Sequence, residues 1–326
     1  MNKRLIVFVI IILLSDIGML VLHKQKKVRL SQSKTPLEHI LPDPPSLPPE
    51  PKNPNLPKPI ELLPQFVSVA KARNVNEDGT IYADVISHSK SKPFGDESGR
   101  STNVHETTHG INSQIRSEHP SNIKTNGFYC LQGRGVIVDE PKLKKSYLIK
   151  FLPQNLRSYR YDLYIAGQKE WEDVPTYICD EWVAYINGGK CCVDDINRGL
   201  NKSKWTDGVS GCLDFSIYTV ALCMAIKEHD PDYWKNNIQF RSFVTWQLQE
   251  ALNTYLAGHQ MPMLKWDKQD ALLKELLTSS TAEPMRKFIR NELNGIWLNV
   301  DSQMLQFITY EPYQTVVLRP QLKKHR

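Results

Sequence analysis

The sequence predicts an α+β fold, because strand patterns occupy the first half of its globular part and helix patterns the second half. The strand patterns alternate or are rich in β-branched residues, and the helix patterns repeat apolar residues every three to four positions. The predicted strands cover residues 80–87, 128–131, 135–139, 146–152 and 161–165. The predicted helices of the second half cover residues 213–228, 233–256, 268–278 and 282–293. We expect residues 128–131 and 135–139 to pair as a hairpin, because only three residues separate them.

The composition is that of an ordinary globular protein. The chain has 326 residues, of which 40% are hydrophobic, 23% charged and 9% aromatic. This length is enough for one large domain or two small ones, and the aromatic content argues against a wholly disordered chain. The mean hydropathy of −0.42 excludes a polytopic membrane protein. We expect one globular domain over residues 65–326.

The net charge of +6 comes from the two ends of the chain, not from its body. Because residues 1–30 carry +5 and residues 319–326 carry +4, residues 31–318 carry −3. A nucleic-acid-binding protein needs a basic globular surface. The charge distribution therefore argues against a nucleic-acid partner.

Residues 5–22 form an apolar segment that follows a basic flank at residues 1–4. Its length is just sufficient to cross about 30 Å of hydrocarbon as a helix. Residues 5–14 would also serve as the apolar core of a cleaved signal peptide, although no small-residue cleavage site follows them. Asp16 is costly in the middle of a bilayer. We expect an uncleaved single-pass membrane anchor, with secretion after signal cleavage as the alternative.

A proline-rich linker follows at residues 23–64. Eleven of the 21 prolines of the chain lie between Pro36 and Pro64. Proline fixes φ and removes hydrogen-bond donors, so we expect an extended, semi-rigid spacer. An anchor followed by a spacer predicts a domain held outside the cytoplasm, near the membrane.

Six cysteines lie in the globular part, at positions 130, 179, 191, 192, 212 and 223. If this part is exported, one to three disulfides are expected, whereas in a reducing compartment all six would be small buried residues. The chain has no C-x-x-C sequence, so the cysteines indicate neither a zinc ribbon nor a thioredoxin-like site.

The most informative segment contains His105, Glu106 and His109 in an H-E-x-x-H arrangement. Two histidines four residues apart project from one face of a helix, which is the spacing needed to bind one Zn²⁺. Glu106 lies about 100° round the helix from His105, where it can act as general base toward a water held by the metal. Ser101 or Thr102 provides a helix start.

The same helix has a second, apolar face. This face would pack the helix against the core, and it consists of Val104, Thr108, Ile111 and Ile115. The segment therefore combines a metal-binding face with a packing face.

This segment resembles the zincin metallopeptidases, whose longer consensus favours uncharged residues around the two histidines. The matching positions are Thr102, Asn103, Thr107, Thr108, Gly110 and Ile111. The metzincin branch requires Gly and His where this chain has Asn112 and Ile115, which leaves the gluzincin branch. The resemblance implies a zincin-like fold, with a small mixed or antiparallel sheet packed on the motif helix and a helical C-terminal half, and one Zn²⁺ per chain.

Resemblance to the gluzincins also implies a third ligand, a glutamate on a later helix. The sequence D-E-W-V-A-Y around Glu181 looks like that helix. Its apolar stripe consists of Ile178, Trp182, Tyr185 and Ile186, and Gly188 is expected to end it. Glu181 lies beside the stripe, where a buried carboxylate needs a partner such as a metal. Asp180 is the closest rival ligand.

One position departs from the gluzincin pattern. Thermolysin-like members carry an Asp four residues after the glutamate, where it supports a ligand histidine, and this chain has Tyr185 there. The supporting residue therefore stays unassigned. The oxyanion-stabilising residue is also open, with four tyrosines as candidates: Tyr159, Tyr161, Tyr164 and Tyr185.

Together these features predict a membrane-tethered zinc metallopeptidase that hydrolyses peptide bonds in a peptide or protein substrate. His105, His109 and Glu181 are the expected metal ligands, and Glu106 is the expected general base. The alternative is a non-catalytic zincin-fold module that binds a component of the cell envelope. The intact Glu106 argues against that alternative.

Overall fold

Helices predominate in the described part of the chain, and three of them pack against one small sheet. The structure is a computed structural model, and it describes residues 63–77, 79–94, 99–121, 123–200, 206–298 and 300. The predicted basic flank and anchor (residues 1–22), nearly all of the predicted linker and the basic residues 319–326 lie outside these ranges.

The described elements confirm a mixed α+β fold. The helices are α1 (Ile81–His88), α2 (Arg100–Glu118), α3 (Tyr177–Asn197), α4 (Ser210–His229), α5 (Pro231–Asn236), α6 (Ile238–Gly258), α7 (Asp267–Thr278) and α8 (Glu283–Glu292). The strands are β1 (Val67–Ser68), β2 (Thr125–Tyr129) and β3 (Arg134–Asp139). Short 3₁₀-helices lie at Lys145–Phe151, Gln154–Leu156, Lys169–Trp171 and Ser280–Ala282, and a π-helix lies at Tyr161–Ala166.

The sheet is antiparallel, with the strand order β1-β3-β2. The hairpin predicted at residues 128–131 and 135–139 is confirmed by the pairing of β2 with β3, which places Tyr129 opposite Gly135. Its turn is tight, because Leu131, Gln132 and Gly133 all have positive φ, at 63°, 55° and 66°.

The strand predicted at residues 80–87 is wrong, because this segment forms helix α1. The Thr80 side chain accepts a hydrogen bond from the backbone N–H of Ala83 at 2.9 Å and caps the helix. The backbone N–H of Ile81 donates to the carboxylate of Asp194 at 3.2 Å. These two hydrogen bonds satisfy N–H groups in the first turn of the helix. Their stabilisation of the helix outweighs the preference of the β-branched residues for a strand.

The strands predicted at residues 146–152 and 161–165 are also wrong. The first segment is the 3₁₀-helix Lys145–Phe151, and the second is the π-helix Tyr161–Ala166. The buried ammonium of Lys145 donates to two backbone carbonyls within and just after the π-helix, at 3.3 and 2.6 Å. This cation satisfies carbonyl groups that a strand would pair with a neighbouring strand.

The helices predicted for the second half are confirmed, with one division. The segment at residues 233–256 becomes α5 and α6, because the Asn237 side chain accepts from the N–H of Phe240 at 2.9 Å and starts a new helix. Helix α4 is the one helix among the described residues long and apolar enough to cross a membrane. Its side chains are almost all buried within the fold, as in a central core helix.

All six cysteines lie among the described residues, and all are buried free thiols. None of the six forms a disulfide among the described residues, and each packs as a small buried residue. Burial raises the pKa of Cys130, Cys192 and Cys212 to about 12. These thiols therefore stay protonated near neutral pH.

Helix α2 lies directly on the sheet. Its predicted packing face is confirmed, since Val104, Thr108, Ile111 and Ile115 are all buried. A Cβ at Gly127 of β2 would lie 2.7 Å from Ile115 Cγ2, and a Cβ at Gly135 of β3 would lie 2.9 Å from Ile115 Cδ1. The two glycines are therefore what allows the helix to approach the strands so closely.

Helix α3 packs against both α2 and strand β2. The sequence predicted that Gly188 ends this helix. That prediction is wrong, because α3 continues to Asn197. A Cβ at Gly188 would lie 3.2 Å from the carbonyl oxygen of Ser101 and 3.4 Å from Cβ of His105. The Ser101 hydroxyl donates to the Gly188 carbonyl at 2.9 Å. Gly188 is a close-contact residue between the two helices.

The contact between α2 and the sheet generates a stability prediction. Gly127→Ala is expected to lower the free energy of unfolding by roughly 1–3 kcal/mol, since the new methyl overlaps Ile115. Gly110→Ala in α2 is the matched control, because nothing lies within 4 Å of its added Cβ. It should raise the free energy of unfolding by about 0.5–1 kcal/mol. Chemical denaturation measures both, and equal effects of the two substitutions would contradict the close packing.

Candidate metal centre

Helix α2 places the imidazoles of His105 and His109 side by side. Their Nε2 atoms are 3.2 Å apart, and their ring planes make an angle of 78°. Both residues occupy the same face because a spacing of four residues is close to one helical turn. The Nε2 atoms therefore converge on a common point, as the sequence predicts.

Helix α3 brings Glu181 to the same point. Its Oε2 lies 3.5 Å from Nε2 of His105, and its Oε1 lies 3.6 Å from Nε2 of His109. The side chain of Glu181 is only 1% exposed. One ligand atom from each of the three residues lies within 4.8 Å of the others. The three residues that the sequence singled out as ligands are thus brought together across 72 residues of chain.

The spacing and the hydrogen bonding of this cluster both fit a metal ion. Four ligands at about 2.0–2.1 Å from Zn²⁺ in a tetrahedron lie about 3.3 Å from one another. The three shortest nitrogen–nitrogen and nitrogen–oxygen distances are 3.2, 3.5 and 3.6 Å. Both carboxylate oxygens of Glu181 are buried and lack a hydrogen-bond partner among the described residues. A buried carboxylate without a donor is costly unless a cation is close to it.

Asp180 lies behind His109, not at the point of convergence. Its Oδ1 accepts a hydrogen bond from Nδ1 of His109 at 2.5 Å and from the amide of Asn112 at 3.0 Å. Its Oδ2 accepts from the guanidinium of Arg116 at 2.8 Å. Bonded to Nδ1, Asp180 fixes the His109 ring so that Nε2 points toward Glu181. The sequence left this partner of the histidine unassigned.

The buried charges of the cluster depend on one another. Burial alone would raise the pKa of Asp180 and of Glu181. The hydrogen bond and the charge of His109 lower the pKa of Asp180 to about 2, and the nearby charge of His109 lowers the pKa of Glu181 to about 2. Burial likewise opposes the charged form of His109, but the two carboxylates raise its pKa well above the usual value. Without a metal, a protonated His109 supplies the positive charge that these carboxylates need.

Glu106 lies next to His105 on α2, outside the three-residue cluster. Its side chain is half-buried, and its Oε1 is buried without a hydrogen-bond partner among the described residues. This oxygen is therefore available to accept a proton or a hydrogen bond from a bound molecule.

Two of the four candidate tyrosines lie beside the cluster. The Tyr185 ring meets the His105 ring edge-on at 4.5 Å, and its hydroxyl lies 3.1 Å from that of Tyr164. The other two have different neighbours: the Tyr159 hydroxyl donates to Asp207, and the Tyr161 ring lies under Arg157.

A buried cation beside the tyrosines was missed from the sequence. Arg160 is 3% exposed, and its guanidinium donates to Ser210, Asp207 and Asp214 at 2.9, 2.7 and 2.5 Å. Its central carbon lies 4.7 Å from the centre of the Tyr185 ring. No spacing could have predicted this cluster, because its members come from three separate segments.

The residues that bind Asp180 were also missed. Asn112 and Arg116 could have been identified from the sequence as neighbours of His109, since they follow it by three and seven residues on one helix face.

The N-terminus of α3 is held by a carboxylate from the end of the sheet. Glu140 accepts a hydrogen bond from the backbone N–H of Thr176 at 3.2 Å and another from its hydroxyl. Asn126 of β2 donates to the same hydroxyl at 3.1 Å and accepts from Arg116. These contacts connect the start of the glutamate-bearing helix with the sheet and with α2.

The described geometry is able to bind a divalent cation through two nitrogens and one carboxylate, with a free carboxylate oxygen and two hydroxyls nearby. Comparison of the chain with protein-family models, with curated proteins and with solved structures gives no match.

The position of Glu140 generates a pH prediction. Burial raises its pKa from 4.5 to about 7 in the folded protein. Between these two values the unfolded chain has lost a proton that the folded chain retains, so the free energy of unfolding should fall as the pH rises. Glu140→Gln should remove this part of the dependence. Urea denaturation of both proteins from pH 4.5 to 8 measures it, and a difference between them that is constant with pH would contradict the prediction.

Proposed function

We propose that the chain is a zinc metallopeptidase of the zincin type that hydrolyses peptide bonds. The observation that carries this proposal is the convergence, at tetrahedral spacing, of two imidazole Nε2 atoms and a buried carboxylate that lacks a hydrogen-bond partner among the described residues. The residues are those of an H-E-x-x-H helix and of a later glutamate-bearing helix. Nitrogen and carboxylate donors in this number are typical of catalytic zinc, which keeps a fourth position open.

The arrangement of elements supports the same proposal. The motif helix α2 lies on a small antiparallel sheet, and α3 packs against α2 with the glutamate facing the histidines. The zincin-like fold that the motif implies also has its motif helix packed on a small sheet and a later helix that carries the glutamate. In the helical second half, α4 and α6 pack against α3, and α6 also contacts β3.

Each side chain of the site has a distinct role in the proposal. His105, His109 and Glu181 would hold the ion, which when bound acts as a Lewis acid and lowers the pKa of a water at its open position to about 7. Glu106 is the general base: its carboxylate accepts a proton from the attacking water and returns it to the leaving nitrogen as the peptide bond breaks. Oε1 of Glu106 has no hydrogen-bond partner within the described part of the chain, which suits it to this exchange.

Asp180 acts through His109. A carboxylate on Nδ1 keeps that nitrogen protonated and leaves the lone pair of Nε2 for the metal. Arg116 and Asn112 hold the carboxylate in place at 2.8 and 3.0 Å. Asp180 therefore positions a ligand and is not itself a ligand in this proposal.

The proposed location follows from the ends of the chain. Residues 5–22 would anchor the protein in a membrane as a single span, and the proline-rich linker would hold the catalytic domain outside the cytoplasm. Secretion after signal cleavage is the alternative. The basic residues on either side of the anchor favour anionic lipid headgroups by about 1 kcal/mol each.

Metal analysis tests the ligands. Wild-type protein purified and dialysed with zinc should bind one equivalent, and His109→Ala and Glu181→Gln should lose it. Asp180→Asn should keep the site but weaken zinc binding by roughly 10- to 100-fold. His119→Ala, at the end of α2, is the matched control and should retain one equivalent. Zinc retained at full affinity in Glu181→Gln would contradict the assignment of the third ligand.

Peptide hydrolysis tests the general base. Glu106→Gln should bind zinc as the wild type does, because Glu106 is not a ligand. It should hydrolyse fluorescein-labelled casein at least 100-fold more slowly, which is the size of a general-base contribution. The zinc-loaded wild type is the reference, and the release of labelled peptides is the measurement. A Glu106→Gln variant with wild-type activity would sink the proposed mechanism.

A further inference from the structure

A cavity of about 550 Å³ lies among α1, the turn between β2 and β3, and residues 71–75. Its volume is within the range of small-molecule binding sites. None of the metal-centre residues lines it, and α3 contributes Lys190 instead. Lys190 follows Glu181 by nine residues, which is about two and a half helical turns, so the two side chains leave opposite sides of α3. The cavity is therefore separate from the metal centre.

The charged side chains that line the cavity are four cations and two carboxylates, a formal excess of two positive charges. They are Lys71, Arg73, Arg134 and Lys190, with Asp84 and Glu250. Both carboxylates have partners within the protein. Asp84 accepts from the backbone N–H of Gln132 at 2.9 Å and from the Tyr129 hydroxyl at 3.1 Å, and Glu250 is paired with Lys190. The excess charge therefore lies on the lysine at position 71 and the two arginines.

Both arginines are held in place without a carboxylate. Nε and Nη2 of Arg73 donate to the backbone carbonyl of Ser89 at 3.2 and 2.9 Å. The guanidinium carbon of Arg134 lies 4.9 Å from the centre of the Phe66 ring and 5.7 Å from that of Trp246. Within the described part of the chain, neither guanidinium forms an ion pair with an acidic side chain. Their remaining N–H groups can donate to the oxygens of a bound anion.

The same cavity has an apolar wall. Its members come from residues 71–75, from α1 and from the β2–β3 turn: Val75, Ile81, Ala83 and Leu131. An inorganic ion would leave this wall unused, whereas a ligand with an apolar group would bury part of it. Cationic and apolar linings together favour an organic molecule that carries an anionic group.

We propose that this cavity binds a small organic phosphate monoester, whose phosphate contacts the guanidiniums of Arg73 and Arg134 and the ammonium of Lys71. A phosphate monoester carries a charge of about −1.5 to −2 at pH 7, which matches the excess positive charge of the lining. Guanidinium groups bind phosphate oxygens through paired hydrogen bonds. The organic group lies against the apolar wall. The site does not depend on the proposed function, because it shares no side chain with the metal centre.

Titration calorimetry with phenyl phosphate tests the site. The full-length protein, in a nonionic detergent, is first dialysed against a chelator, so that the phosphate has no metal to bind. We expect one equivalent of phenyl phosphate to bind, and inorganic phosphate to bind about 10-fold more weakly because it lacks an apolar group. Absence of saturable binding would overturn the proposal. Equal affinity for the two probes would overturn the assignment of an ester.

Arginine variants test the contacts with the phosphate. Arg73→Gln and Arg134→Gln should each bind phenyl phosphate about 10- to 100-fold more weakly, since each loses charged hydrogen bonds. Arg157→Gln is the matched control. The Arg157 Nε donates to a backbone carbonyl at 3.3 Å, and the guanidinium lies over the Tyr161 ring at 4.6 Å, outside the cavity. It should bind the probe like the wild type, and equal weakening in all three variants would overturn the site.

Two further variants keep the test decisive if an arginine variant does not fold. The Lys71 side chain is exposed and makes no hydrogen bond or ion pair among the described residues, so Lys71→Gln leaves the fold intact. It should bind phenyl phosphate about 3- to 10-fold more weakly. Glu250→Gln removes a negative charge from the lining and should bind the probe more tightly. Unchanged affinity in Lys71→Gln, or weaker binding in Glu250→Gln, would overturn the proposal.

Discussion

The carboxylate of Glu181 lies in the protein interior, 1% exposed and without a hydrogen-bond donor among the described residues. An ionised carboxylate is stable in such surroundings only when a positive charge is close to it. The Nε2 atoms of His105 and His109 lie 3.5 and 3.6 Å from its oxygens, so a protonated imidazole or a metal ion can supply that charge. The packing of α2 against α3 meets this requirement, because it brings the three side chains together.

The surrounding contacts make the cluster rigid. Gly127 and Gly135 let α2 approach the sheet, and Gly188 lets α3 approach α2. Asp180 binds His109 and Arg116, and Arg116 in turn reaches Asn126 of the sheet. The orientation of one imidazole is thus determined by a chain of charged and polar contacts that extends to β2. A metal site needs this support, because small displacements of a ligand weaken coordination.

The elements predicted correctly are those in which one physical pattern dominates. The histidine pair follows from a spacing of four residues on a helix, and the burial of Val104 and Ile115 follows from the opposite face. The place of Glu181 could be inferred because it lies beside an apolar stripe. Residues 80–87 were mistaken for a strand because their β-branched residues conceal a helix that starts at the Thr80 cap. The role of Gly188 depends on the nearness of Ser101, which is 87 residues away and cannot be seen in a local pattern.

The X-ray absorption spectrum of the zinc-loaded protein at the zinc edge tests the central claim most directly, because it identifies the atoms bound to the metal. We predict nitrogen and oxygen ligands at about 2.0–2.2 Å, with the outer-shell scattering of two imidazoles and without sulfur. A sulfur shell at about 2.3 Å would show that cysteines bind the metal. That result, or scattering from fewer than two imidazoles, would contradict a centre built from His105, His109 and Glu181.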